Sequence, residues 1–343
     1  MTPDWLDLNS TWFVLMAVLV TGYAVLDGFD LGIGALHLFV KGDHERQTLL
    51  RAIGPVWDGN EVWLITAGGA LFAAFPVAYA TVFSGFYVAM ILLLLALILR
   101  AVSIELRNMR PSDRWRRYWD VRFSLGSMLA ALLLGIAMGN IIWGVPLDEK
   151  HEFTGTLGTL LHPYALLVGL ATLLLFTVHG AAYGTLKTDG ALKDRLHKLG
   201  FRAGIAALLC LAAAMIIALV DIPHVAARVR TWPWLLMLPA LTLLCMAGAL
   251  HGLARNASRC AFGATCTATV LVMAQVALGL YPNLVVSRPD PANSLTIYNA
   301  ASSQRTLGIM LTVALIGMPL VLGYTVIVYR IFKGKVKLGE PGY

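Results

Sequence analysis

The stretch YATVFSGFYVAMILLLLALILR (residues 79–100) holds a single charged side chain, Arg100, in 22 consecutive positions. At about 1.5 Å of rise per residue it makes a helix of about 33 Å, enough to cross a hydrocarbon core of about 30 Å. Eight further runs of the same character lie on either side of it, at about 11–40, 55–75, 122–143, 159–184, 203–221, 233–254, 261–281 and 306–332. They are continuous rather than alternating, which excludes a β-barrel. Of the 343 residues, 58% are hydrophobic and only 13% charged, and the mean hydropathy is +0.74. Soluble domains average about 45–50% apolar and about 25% charged residues. So little charge cannot cover a water-facing surface of this size, which excludes a soluble enzyme, a disordered chain, a disulfide-stapled secreted domain and a fibrous repeat. The reading is an all-α polytopic membrane protein: one integral-membrane domain of nine transmembrane helices, grouped as two four-helix bundles plus one peripheral helix.

Orientation follows from the cations. With the N-terminus outside (periplasmic) and the C-terminus cytoplasmic, 21 of the 26 Lys and Arg fall on inner segments. Only Lys150, Arg228, Arg230, Arg288 and Arg305 fall outside. Cytoplasmic loops carry such an excess, so the net charge of +7 needs no nucleic-acid partner. The segment before the first run, Met1–Ser10, carries Asp4 and Asp7 and no cation, unlike the basic flank of a cleavable signal.

Charged groups inside a span are costly and are functional candidates by default. Four carboxylates fall in the first two spans: Asp27 and Asp30 in VLDGFDLGIG, Asp58 and Glu61 in PVWDGNEVWLITAGG. Each pair is spaced i, i+3 and so shares one helix face. By helical rise, Asp58 and Glu61 lie near the cytoplasmic mouth, and Asp30 and Asp27 near mid-membrane. A ladder of acids from one face to the middle suits a proton path. The competing reading is structural: the acids pair with basic residues, and Asp58, after Pro55, serves the first turn of its helix. Gly28, Gly32, Gly34, Gly59, Gly68 and Gly69 argue for close helix contact, within the chain or against a partner. Trp57 and Trp63 read as packing or interfacial residues standing behind the acids.

Four histidines in or near spans, His37, His162, His179 and His251, are of a type that ligates haem iron. No CxxCH or bis-His spacing marks them, and helix-end or packing roles fit them better. The four cysteines, Cys210, Cys245, Cys260 and Cys266, lack CxxC spacing and read as small apolar packing residues. No phosphate loop, HExxH or catalytic triad is present, and nothing in the residues marks a redox centre or a metal site.

The segments LDGFDLGIG and WDGNEVWLITAGGALFAAFP resemble subunit II of the cytochrome bd quinol oxidases, including the cyanide-insensitive type. Three further stretches carry the likeness: SGFYVAMILLLLALILRAVSIELR (84–107), MGNIIWGVP (138–146), and YPNLVVS with SLTIYNAASSQRTLGIML (281–311). The resemblance implies a subunit of a quinol:oxygen oxidoreductase in the bacterial inner membrane, itself without haem or catalytic residues. Its partner would be a similarly folded subunit I carrying haems b and d, the quinol site and oxygen reduction. Small single-span accessory subunits, membrane lipids, and a structural quinone or lipid at the surface are further implied partners. The shorter outer loops, notably between the sixth and seventh spans, set this chain apart from the longest family members. The resemblance also implies that Asp58 and Asp30 stand on a cytoplasmic proton route, with Glu61 and Asp27 as further candidates and Trp57 and Trp63 as their neighbours.

Overall fold

A computed structural model describes residues 7–336; Asp4 and Lys337, counted above among the charges, lie outside the described residues. The chain begins with α1 (Leu8–Leu36), whose first turn is capped by the Asp7 carboxylate accepting from the Ser10 amide. The short α2 (Gly42–Ile53) leads to α3 (Trp57–Ala74), α4 (Pro76–Gly85) and α5 (Tyr87–Leu106). Then follow α6 (Asp113–Trp143), a single turn α7 (Leu157–Leu160), α8 (Pro163–Lys187) and α9 (Gly190–Asp221). The chain continues with α10 (Pro223–Thr231), α11 (Met237–Ala254), α12 (Ser258–Leu280) and α13 (Gln304–Ile331).

Among the described residues, eight helices are long and apolar enough to cross a membrane. The run expected at 55–75 folds as α3, but Asp58, Asn60 and Glu61 in its first two turns leave it more polar than those eight. The run expected at 79–100 is divided. Pro76 opens α4, and the helix breaks at Phe86, where Phe153 of the loop between α6 and α7 packs so closely on Gly85 that a Cβ there would meet it at 2.7 Å. The spanning helix α5 therefore starts at Tyr87 and runs six residues past Arg100. Likewise α6 starts nine residues before the expected 122, capped by Ser112.

The helix α8 packs against α1, α6, α9 and α12. Its closest approach is to α1, backbone on backbone: a Cβ on Gly32 would lie 1.8 Å from the Phe176 carbonyl oxygen, and one on Gly180 2.4 Å from the Gly32 carbonyl carbon. A similar small-residue contact at Gly126, whose Cβ would meet the Ala96 carbonyl at 2.7 Å, draws α5 onto α6. At the other end of the helices, the antiparallel pair β1 (Asn283–Val285) and β2 (Leu295–Thr296) is tied to the end of α6 through Val145 and Ser287. The last helix, α13, buries only Leu307 among its 28 residues. The glycines thus divide: Gly28, Gly32 and Gly34 meet neighbours inside the chain, whereas a Cβ on Gly59, Gly68 or Gly69 would meet nothing within 4 Å.

Candidate functional site

The carboxylates of α1 and α3 meet a cation that charge counting had placed at the inner membrane surface. Because α5 continues to Leu106, Arg100 lies inside the bundle with no solvent exposure. Its Nη1 and Nη2 donate to Asp27 Oδ2 and Oδ1 at 3.0 and 2.5 Å. Both side chains are fully buried, so the pair forms the fork-on-carboxylate geometry that makes an arginine contact strong and directional. Glu61, 17% exposed, places Oε1 4.0 Å from Arg100 Nη1. One cation thus stands between two acids of different helices.

Asp30, one turn along α1 and also fully buried, is held differently. Its Oδ2 accepts from Asn60 Nδ2 at 2.7 Å. The same amide donates to the Leu26 carbonyl at 3.1 Å, and Asn60 Oδ1 accepts from the Tyr329 hydroxyl of α13 at 3.1 Å. Every polar atom of Asn60's amide is therefore engaged. Asp30 Oδ1 is buried without a hydrogen-bond partner among the described residues. An unmatched carboxylate oxygen in such a place is costly unless it binds a proton or a water.

Asp58 lies apart from these groups, exposed with Gly59, Val62, Ile65, Gly69 and Phe72 along one face of α3. The i, i+3 pair of α3 therefore straddles a boundary, Asp58 outward and Glu61 turned toward Arg100. Trp57 and Trp63 are buried packing residues: Trp63 lies over Gly22 of α1, where a Cβ would meet its ring at 2.3 Å. The structure brings Asp27, Asp30 and Glu61 around Arg100 and Asn60. The last two went unrecognised in the sequence, although a lone arginine in an apolar run and an amide between two acids were visible signals.

These residues fall within the part of the chain that matches known proteins. A model of the cytochrome bd terminal oxidase subunit II family matches residues 8–332. The chain belongs to this family. It is 35% identical over 364 residues to the cytochrome bd-I ubiquinol oxidase subunit 2 of Escherichia coli K12, covering 97% of this chain and 96% of that protein. It is 33% identical over 337 residues to the cytochrome bd ubiquinol oxidase subunit 2 of Bacillus subtilis, covering 98% of each. In fold it is similar to a chain of the bd oxidase structure from Geobacillus thermodenitrificans, with a TM-score of 0.78 at 17% identity over 95% of this chain and 98% of that one.

Three of the four histidines singled out in the sequence serve this family member's own helices. His179 is fully buried, donates from Nε2 to the Val25 carbonyl at 2.9 Å and sets Nδ1 2.8 Å from Thr265 Oγ1. With both ring nitrogens engaged, it does not fit as an iron ligand. His162 Nδ1 accepts from the Tyr164 amide, capping α8, and its ring stacks on Trp143. His251 is exposed on α11. His37 Nε2 donates to Asp120 at 2.6 Å. Asp120 also accepts from Arg107 Nε at 2.6 Å and Arg46 Nη1 at 3.2 Å, and Arg107 and Arg116 both bond Asp43. This second buried cluster clamps the ends of α1, α5 and α6 to α2. Among the described residues no group of three or more His, Cys, Asp or Glu side chains is arranged to hold a metal ion. The four cysteines are free thiols.

An apolar cavity of about 230 Å³ lies toward the opposite end of the helices, lined by Tyr23, Phe176, Leu211 and Met273, with His224 and Arg228 of α10 at its edge.

Proposed function

We propose that the chain is the haem-free second subunit of a quinol:oxygen oxidoreductase of the bacterial inner membrane, and that it carries a proton-uptake route for oxygen reduction. Nine spans, with α3 as the second, put the N-terminus outside and the C-terminus in the cytoplasm. The partner is a subunit I that holds haems b and d and performs the redox chemistry. The observation that supports the oxidase reading is full-length similarity at 33–35% identity to subunits whose names state that activity. The exposed α3 face with its open glycines, and the unburied α13 beside it, offer the partner a surface for close helix approach. A quinone or lipid tail would find room in the apolar cavity beside Tyr23 and Phe176.

The proton reading rests on the contrast between two acids one turn apart. Asp27 is closed by two guanidinium bonds and serves as counter-ion to Arg100. Asp30 has a free carboxylate oxygen and an amide, not a cation, at the other, so it binds and releases a proton without breaking an ion pair. Asp58 at the open edge of α3 is the entry, Glu61 the intermediate position, and Asp30 the interior carrier; Trp57 and Trp63 hold α3 against α1.

Affinity purification of the tagged chain from its own host tests the assignment. It predicts a co-purifying haem-bearing subunit and quinol-dependent oxygen consumption. In that complex Asp58→Asn slows turnover with haem content unchanged. A chain that purifies alone, or one that ligates haem itself, overturns the assignment; normal turnover of the Asp58→Asn complex overturns only the entry role.

A further inference from the structure

The first three turns of α6 read DRWRRYWDVR (113–122) and sort their residues by direction. At 100° per residue, Arg116 and Asp120 point one way, while Arg114, Tyr118, Arg122, Trp115 and Trp119 span a sector of about 140° on another side. The first direction is neutralised inside the chain: Arg116 bonds Asp43 at 2.8 Å, and Asp120 is enclosed by His37, Arg107 and Arg46. On the second, Arg110 and Arg122 rest on rings instead of carboxylates. The Arg122 guanidinium carbon lies 3.0 Å from the Tyr118 ring centre, and that of Arg110 lies 4.5 Å from the centre of Trp115. Arg114 is exposed. None of Arg110, Arg114 and Arg122 has a carboxylate partner among the described residues. The Trp115 indole donates to the Leu106 carbonyl at 2.8 Å, which fixes that ring. One turn deeper on the same side, Leu125 is 54% exposed.

We propose that this face of α6 seats an anionic phospholipid, with its headgroup lying between Arg114 and Arg122 and an acyl chain along Leu125. The match is one of charge and depth. Arg122 spends Nη1 on the Tyr118 carbonyl at 3.2 Å, and with no carboxylate beside it its remaining N–H groups can meet a phosphate; aromatic residues mark the headgroup level, and an apolar residue continues toward the bilayer interior. The inner leaflet is the one rich in anionic lipid, so the placement rests on the topology proposed above. The paired Arg107–Asp120–Asp43 cluster behind this face anchors the ends of α2, α5 and α6, so the arginines project from a fixed base.

The test titrates the purified oxidase complex in detergent with phosphatidylglycerol or with phosphatidylcholine and counts bound lipid by native mass spectrometry. Wild type is expected to prefer phosphatidylglycerol. Arg114→Gln and Arg122→Gln each weaken it about fivefold. Arg117→Gln removes the same charge from the same turn but outside the aromatic sector, and leaves the affinity unchanged. Equal weakening by Arg117→Gln would reduce the site to a diffuse field and overturn the proposal, as would equal binding of the two lipids. Dissociation of the partner subunit from the Arg122→Gln complex would assign the face to protein and also overturn it. Labelling Arg117→Cys with an impermeant thiol reagent on either side of the membrane separates failure of the topology from failure of the lipid preference.

Discussion

Removing Arg100 is the perturbation with the largest local consequence. Arg100→Gln leaves Asp27 fully buried without its two guanidinium bonds of 3.0 and 2.5 Å, and leaves Glu61 without its nearest cation. Deleting one partner of a buried ion pair costs about 3–5 kcal/mol, because the surviving charge is stranded. Asp27→Asn strands the arginine instead and falls in the same range. The double variant Asp27→Asn/Arg100→Gln strands no charge; an amide facing an amide costs about 1–2 kcal/mol relative to the native pair. The cycle is thus non-additive by at least about 4 kcal/mol, well beyond the coupling of independent sites. At roughly 2 °C per kcal/mol for a chain of this size or somewhat smaller, each single variant lowers the melting temperature of the purified complex by about 6–10 °C. The double variant stays within about 4 °C of wild type. Arg100→Lys keeps the charge but not the fork, and falls between. A double variant that loses the sum of the two single losses would show that Asp27 and Arg100 act through other partners and not through each other.

Two further outcomes follow from the geometry. Gly32→Ala forces a methyl group against the Phe176 carbonyl, 1.8 Å away, so α1 and α8 must separate; a cost of about 1–3 kcal/mol or more shows as a lower melting temperature, whereas Gly263→Ala, exposed on α12 with nothing within 4 Å of the added methyl, does not lower it. His224 on α10 is held below the ordinary imidazole value by burial, with the Arg288 and Arg228 charges adding to it. The docked helix therefore prefers the neutral ring, and its docking is full above about pH 6.5 and weakens as pH falls below that, because the undocked ring takes the proton first. Hydrogen exchange across 223–231, corrected for intrinsic rate, should rise between pH 7 and pH 5.5 in wild type and stay flat in His224→Gln.

The helices were legible because a bilayer imposes one coarse demand, about 20 apolar residues per crossing, which survives errors of several residues at each end. The site is finer than that. Whether Arg100 lies at the membrane surface or inside the bundle depends on α5 starting at Tyr87, a boundary set by Phe153 packing on Gly85 from a loop 68 residues away. The Asp27–Arg100 contact spans 73 residues of chain and depends on helix rotation, which hydropathy does not encode. Spacing alone placed Asp58 and Glu61 on one face; the rotation of α3 sets one outside and the other toward Arg100. The glycines gave the better warning, since Gly32 marked the α1–α8 contact that fixes the height and direction of Asp27 and Asp30.

Asp30→Asn in the assembled complex separates a proton carrier at Asp30 from a purely structural carboxylate. Asparagine keeps the shape and accepts from Asn60 through its own oxygen, but it holds no exchangeable carboxyl proton. Quinol-dependent oxygen reduction is expected to slow by about a hundredfold, with the haem spectrum and subunit ratio of wild type. Turnover at the wild-type rate in that complex would contradict the carrier role.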